Sequence, residues 1–365
     1  MNQQHGALLA LAHVVEPGDH HMGRLVDQFG AQAVVERIRA GAVPDRRIEG
    51  MQARLARFER TEALDALEPA QARLIFRDDV EWPSQLDDLG PARPYVLWII
   101  GSASLRLAAL RSVAVVGARA STHYGDRVAR EWCGQLSDQG WCVVSGGAYG
   151  IDAAAHLGVL SAGGVTACIL ASGVDVAYPR AHASLFARIA DTGLLVSESP
   201  IGTQARRQRF LTRNRIIAAL TRGTVVIEAA LRSGTTSTAN AAHALNRPVL
   251  AVPGSVESPL SAGCHQLIRE QQAVIATDWR DIPELLGGED VISVEGTGPV
   301  SRPTDGLTST QRLVLDAVPL RAWATLEELI YASGLSAREL LASLGVLCAE
   351  GFVTQEGNSW RAARV

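Results

Sequence analysis

The chain has 365 residues, 47% of them hydrophobic, and a formal net charge of −4. Its 34 basic residues are all arginine, against 38 aspartates and glutamates. This is the composition of a globular chain able to bury cores, not of a disordered one, and its whole-chain charge argues against a nucleic-acid partner.

Residues 1–70 read as a small domain of short helices. Leu8, Leu9, Leu11, Val14 and Val15 make one apolar stripe. Leu25, Val26, Phe29, Val34, Val35 and Ile38 make a second, ended by Gly41 and Pro44. Residues 71–110 connect this domain to the central region, with turns at Trp82-Pro83 and 91–94 and a strand at 95–100. From Ser112 to about Ala276 the pattern is strand, turn, helix, repeated. Strands are predicted at 113–116, 142–145, 166–171, 194–197, 224–229, 249–252 and 273–276. Helices fall between them, as at 125–138, 152–161 and 236–245. Short apolar strands alternating with helices predict an α/β domain over 71–286 with a doubly wound parallel sheet. Residues 287–306, rich in Gly, Pro and small polar side chains, read as a linker. Residues 307–365 read as a second small domain. Helices at 309–317, 326–333 and 337–350 precede strands at 352–354 and 358–360, the order of a winged helix.

No apolar run approaches the roughly 18 residues of a membrane span, so no membrane partner is expected. The opening MNQQHG lacks the basic start of a secretory signal. Cys133, Cys142, Cys168, Cys264 and Cys348 are scattered without a Cys-x-x-Cys pair. That excludes the usual zinc spacings and suits a reducing cytoplasm.

Cutting the chain changes the charge argument. Residues 1–100 carry 11 arginines and 15 acids, net −4; residues 101–270 carry 16 and 10, net +6; residues 271–365 carry 7 and 13, net −6. Acidic flanks hide a basic middle. Within 199–227 stand Arg206, Arg207, Arg209, Arg213, Arg215 and Arg222 and no acid. A solvated helix face normally mixes signs, so this run favours anion binding.

Ligands of open α/β sheets bind outside the carboxyl ends of the strands. The first such loop is Gly117-Ala118-Arg119-Ala120-Ser121, where helix-start amides and the Arg119 fork suit an anion. It is not G-x-G-x-x-G, and no acid follows the second strand to hold a ribose, so a nicotinamide cofactor is rejected. The second loop is Ser145-Gly146-Gly147-Ala148-Tyr149-Gly150-Ile151-Asp152, whose glycines admit a ligand close to the backbone. Asp152 suits a helix cap, and His156 reads as a packed or exposed helix residue. Later segments carry Tyr178-Pro179, then Arg213-Asn214-Arg215 opening a helix, then Arg232-Ser233-Gly234-Thr235-Thr236 joining a strand to a helix. Arginines, hydroxyls and amides gathered on one sheet edge suit a phosphodiester backbone. There is no Walker lysine, no metal-spaced cluster and no nucleophile–base pair, so no catalytic residue, metal or cofactor is expected. Cys264-His265 are sequence neighbours, which suits a structural role better than a dyad.

The motifs VAVVGARASTHYG, VVSGGAYGID, FLTRNRIIAAL, VVIEAALRSGTTSTA and VLAVPG, in this order over about residues 75–285, resemble the DNA-processing protein A family (DprA, also called Smf). The resemblance implies an extended Rossmann-like domain that binds single-stranded DNA, between an N-terminal helical (SAM-like) domain and a C-terminal winged helix. It further implies a non-enzymatic, cytoplasmic homodimer that protects incoming strands in natural transformation and helps load the RecA recombinase. Carried over, Gly117, Arg119 and Ser121 form the first phosphate loop, and Ser145 and Gly146 the second. Arg213 and Arg215 contact phosphate, Asn214 fixes the turn, and Ser233, Gly234 and Thr235 close the pocket. Tyr149 stands where the family commonly has arginine, and suits base stacking. Gly263-Cys264-His265 replaces a common Gly-Thr/Ser-Asn run. The alternative is a nucleotide-binding or nucleotide-cleaving Rossmann-like protein, for which Glu228 is the candidate acid.

Overall fold

The structure, a computed structural model, describes residues 1–231, 234–287, 307–319 and 322–363, with the backbone alone for Thr235. It divides into two compact units, Met1–Asp290 and Val291–Val365. The expected linker lies outside the described residues from position 288 onward.

The first unit opens with helices α1 (Gln3–Val14), α2 (His20–Phe29), α3 (Ala31–Arg39), α4 (Ile48–Ala56) and α5 (Arg60–Asp65). The second apolar stripe is thus two helices, broken at Gly30. These helices bury Leu11, Val14, Met22, Val34, Ile38 and Met51 against one another. Leu9 instead packs with Phe76, Val96, Trp98 and Val174 of the sheet region, which ties the helices to it.

The sheet region runs β1 (Arg73–Ile75), β2 (Leu97–Ile100), α6 (Leu105–Leu110), β3 (Ser112–Val116), α7 (His123–Asp138), β4 (Cys142–Ser145), α8 (Ile151–Ser161) and β5 (Thr166–Ile169). It continues with α9 (Ala183–Thr192), β6 (Leu194–Ser197), α10 (Arg207–Leu220), β7 (Thr224–Val226), α11 (Thr235–Ala244), β8 (Val249–Ala251), α12 (Ala262–Arg269), β9 (Val274–Ile275) and α13 (Asp281–Leu285). The strand order is β1-β2-β6-β5-β4-β3-β7-β8-β9. From β6 through β9 the pairings are parallel. β1 and β2 add an antiparallel edge. The doubly wound parallel sheet expected from the sequence is thus present, extended at one side by two antiparallel strands. Strand–helix alternation reports crossovers, and β2 joins β6 outside that alternation.

The parallel strands are buried on both faces, as their unbroken apolar runs require. Alternate residues still serve different cores. Val113, Val115, Val143 and Leu250 pack under α7 and α8, whereas Ala114, Val116, Val144 and Ala251 pack with Ile216 and Ala219 of α10. Each fully buried valine contributes about 1.5–3 kcal/mol. The chain steps from β3 outward to β6, then returns to β7 on the other side of β3. That reversal opens a crevice at the carboxyl ends of β3 and β7.

The second unit holds α14 (Ser309–Ala317), β10 (Ala324–Thr325), α15 (Leu326–Ser333), α16 (Ala337–Ala349), β11 (Val353–Glu356) and β12 (Ser359–Ala362). β10, β12 and β11 form an antiparallel sheet in that order. Helices α14, α15 and α16 each start with a capping box, on Thr308, Thr325 and Ser336. Val314, Leu329, Leu344, Leu347 and Trp360 fill its core.

Candidate nucleic-acid interface

An open cleft of about 980 Å³ lies over the crevice. Backbone bonds tie its loops together. The Ala118 amide donates to Glu228 O at 2.8 Å, and the Ile151 amide to Ala118 O at 3.2 Å. Gly117–Ala120 follow β3, Ala148 and Asp152 follow β4, and Tyr178 follows β5. Helix α10 supplies Arg207, Phe210, Leu211 and Asn214, spaced for one helix face. Ala230, Leu231 and Gly234 complete the wall after β7.

Arg213 sits at the back of this cleft, only 6% exposed. Its Nη1 donates to Gly146 O at 2.8 Å and to Ile169 O. A Cβ on Gly146 would stand 2.3 Å from that nitrogen, so any larger residue would displace the guanidinium. Burial pulls the Arg213 pKa down, and the nearby Asp152 opposes that pull. Burial likewise raises the Asp152 pKa, against Arg213 and backbone amides. The Asp152 carboxylate accepts the Ala148 amide at 3.3 Å, so it shapes the glycine loop from inside. Among the described residues the Arg213 Nε–H has no hydrogen-bond partner. A buried cation left incompletely paired is costly, and a bound anion relieves that cost.

Arg119 is exposed at the cleft's front. Its guanidinium carbon lies 5.1 Å from the Phe210 ring centre. Phe210 in turn meets Tyr178 at 5.3 Å between centres. Cation and rings thus form one surface suited to phosphate and base together. Of the residues on this wall, Phe210 was not singled out from sequence, Tyr178 was named only as part of a loop, and Arg207 only as part of the arginine run. For Phe210 the signal was an aromatic residue within the arginine-rich segment.

The structure does not bring every candidate to the cleft. Arg215 is engaged by Glu198 through both guanidinium Nη atoms, at 2.7 and 2.6 Å, with both side chains mostly buried. Successive helix residues turn by about 100°, so Arg213 and Arg215 face apart. The Ser145 hydroxyl donates to Val115 O at 2.6 Å and joins β4 to β3. The Ser121 hydroxyl donates to Asp126 in the first turn of α7. Tyr149 is 49% exposed, next to Ala148 of the cleft wall. Ser233 and the side chain of Thr235 lie outside the described residues.

Groups suggestive of enzyme chemistry have structural partners. Both Glu228 oxygens are taken, one by the Thr122 amide at 2.9 Å and one by its hydroxyl at 2.5 Å. The carboxylate thus fixes the N-cap of α7, which weakens the nucleotide-cleaving alternative. The Cys264 thiol is buried, directed at Val226 O and Ile227 O, and its pKa is pushed up to about 12. His265 Nε2 instead contacts Gly254 O at 3.1 Å. His156 is fully buried, with Nδ1 2.8 Å from the Thr166 hydroxyl. Among the described residues no group of acids, histidines and cysteines is disposed to hold a metal. Nor is any single helix there long and apolar enough to cross a membrane.

The family model of the DNA recombination-mediator protein A matches residues 73–287, the whole sheet region that builds this cleft. The chain belongs to that family. Along nearly all its length it is similar to a putative DNA processing protein DprA of Mycobacterium tuberculosis, 40% identical over 97% of this chain and 93% of the relative. The DprA of Streptococcus pneumoniae is 39% identical over 55% of this chain and 70% of its own. Its crystal structure superposes with a TM-score of 0.65 at 29% identity, covering 76% of this chain and 95% of that one. The DprA of Helicobacter pylori, studied for its single-stranded DNA binding mode, superposes with a TM-score of 0.53 at 27% identity, over 59% and 95%. As a DprA family member, the chain has a Rossmann-type fold built on a large, mostly parallel sheet.

Proposed function

We propose that this chain binds single-stranded DNA in the cleft. The observation that carries the reading is the surface formed by Arg119, Phe210 and Tyr178 in front of the buried Arg213. It offers charge for phosphate and rings for bases, and stacking requires bases that are not paired in a duplex. The Helicobacter relative, described for single-strand binding, supports it. Phosphate contacts are assigned to Arg119 and Arg207, with Arg213, Gly117, Gly146, Asn214 and Gly234 shaping the cavity. Ser233 and Thr235 belong to the same reading as closing residues.

In this reading the protein is a recombination mediator, not an enzyme. It acts in the cytoplasm as a homodimer, protects incoming strands during transformation and passes them to RecA. Family membership supports this role. The second unit is read as a winged helix with a protein-contact or regulatory task, since residues 307–365 carry 5 arginines against 6 acids and so have no basic surplus for a duplex.

A binding titration against single- and double-stranded oligonucleotides across a salt series tests the cleft. Wild type is expected to prefer single strands with a steep salt slope. Each of Arg119→Ala and Arg207→Ala should flatten that slope by about 0.7, the value per phosphate contact on a single strand. Unchanged affinity and slope in the double variant would sink the assignment.

A further inference from the structure

Tyr149 is half exposed beside the cleft, and its ring is held in place. It meets His182 edge-on, with centres 4.7 Å apart and planes at 71°. His182 Nδ1 lies 3.1 Å from Gly147 O, where the ring N–H donates to the glycine loop. On its other side His182 contacts Phe186, at 6.1 Å and 89°, and Phe186 is buried in the core under α9. An isolated exposed tyrosine needs no explanation. This one is the outer member of an aromatic column anchored in the protein.

The column adjoins the cleft by two routes. Tyr149 follows Ala148, which lines the cavity. The segment 178–182 begins at Tyr178, also on the cavity wall, and ends at His182, with exposed Arg180 between them. Four residues span at most roughly 14 Å, a distance of a few nucleotides. A strand leaving the cleft past Tyr178 therefore meets a cation and then a second aromatic surface.

We propose that Tyr149 and His182 form a base-stacking platform outside the cleft, which takes unpaired bases of the strand whose phosphates lie in the cleft. The proposal rests on the single-strand reading of the cleft and extends it. The ligand is sequence-tolerant, because every base presents a π-face. A duplex is excluded from the platform because its bases are already stacked and paired.

The test compares oligothymidylates of about 5 and about 15 nucleotides on the full chain. Tyr149→Ala should bind the short strand like wild type and the long strand roughly 5- to 150-fold more weakly, the usual range for losing one stacked base. Tyr149→Phe should bind both like wild type, because the ring suffices. A 2-aminopurine near one end of the long strand should be quenched by wild type and by Tyr149→Phe, and less by Tyr149→Ala. Removing that base to leave an abasic site should erase the difference between wild type and Tyr149→Ala. Equal long-strand affinity and quenching in wild type and Tyr149→Ala would overturn the platform. So would an equal loss at both lengths, which places Tyr149 inside the cleft. Arg119→Ala is run alongside and should weaken both lengths. If it binds both normally, the cleft reading falls by a result separate from the length dependence of Tyr149.

Discussion

Arg213 and Arg215 stand two residues apart and end on different sides of α10. The first carries charge to the back of the cleft through Gly146 O and Ile169 O. The second makes a two-point ion pair with Glu198. Arg215→Ala should therefore leave the salt slope of strand binding unchanged while lowering stability by about 3–5 kcal/mol, since it strands a buried carboxylate. Denaturant midpoints and a salt series separate the two effects. His156 offers a second test at this scale. Burial lowers its pKa to about 3 from the usual 6.5. The unfolded chain therefore binds a proton between these values that the folded chain refuses. Stability should fall as pH drops from about 6.5 towards 3, by up to about 1.4 kcal/mol per pH unit from this group alone. His156→Gln should flatten that part of the stability–pH curve. A curve of unchanged slope would show that the folded state accepts the proton at this position.

Helix α10 is fixed along its length by elements distant in sequence. Arg209 pairs with Glu16 at 3.1 Å. Gly18, at φ 72°, lies so close that a Cβ would stand 2.8 Å from Thr212 and 2.9 Å from Arg215. At the far end, Arg247 donates to Ala218 O, Ala219 O and Thr221 O and caps the helix. Gly18→Ala combines a disfavoured backbone conformation with that contact and should cost about 2 kcal/mol. It should also weaken strand binding although residue 18 lies outside the cleft, as a titration would show. Elements with strong patterns were legible: α14, α15 and the strands at 142–145 and 194–197 coincide with their predicted bounds. The misses were short or set among turn signals. α6 has only six residues, and α9 follows the Gly173 and Pro179 turns. β1 is three residues long and gains its place only by pairing with β2.

At the scale of the molecule, the two compact units each have an apolar core. All of the described cleft lining falls in the first unit. A chain ending at residue 287 should therefore bind single strands within about three-fold of the full-length affinity, a shift below 1 kcal/mol. A larger loss in a titration would assign part of the binding to the second unit.

The order of strands, helices and loops, and the restriction of excess positive charge to the middle of the chain, follow from the sequence by itself. Apolar periodicity and local composition encode them within a few neighbouring residues. The tertiary structure decided which arginines meet the cleft. Arg119, Arg207 and Arg213 line it, the last held by backbone carbonyls at its back, whereas Arg209, Arg215, Arg222 and Arg247 are engaged elsewhere by carboxylates or backbone carbonyls. It also placed Tyr178 against Phe210 and turned Glu228 into an anchor for Thr122. Such pairings join residues tens to hundreds of positions apart. They depend on sheet order and helix rotation, and a linear pattern of residue types records neither.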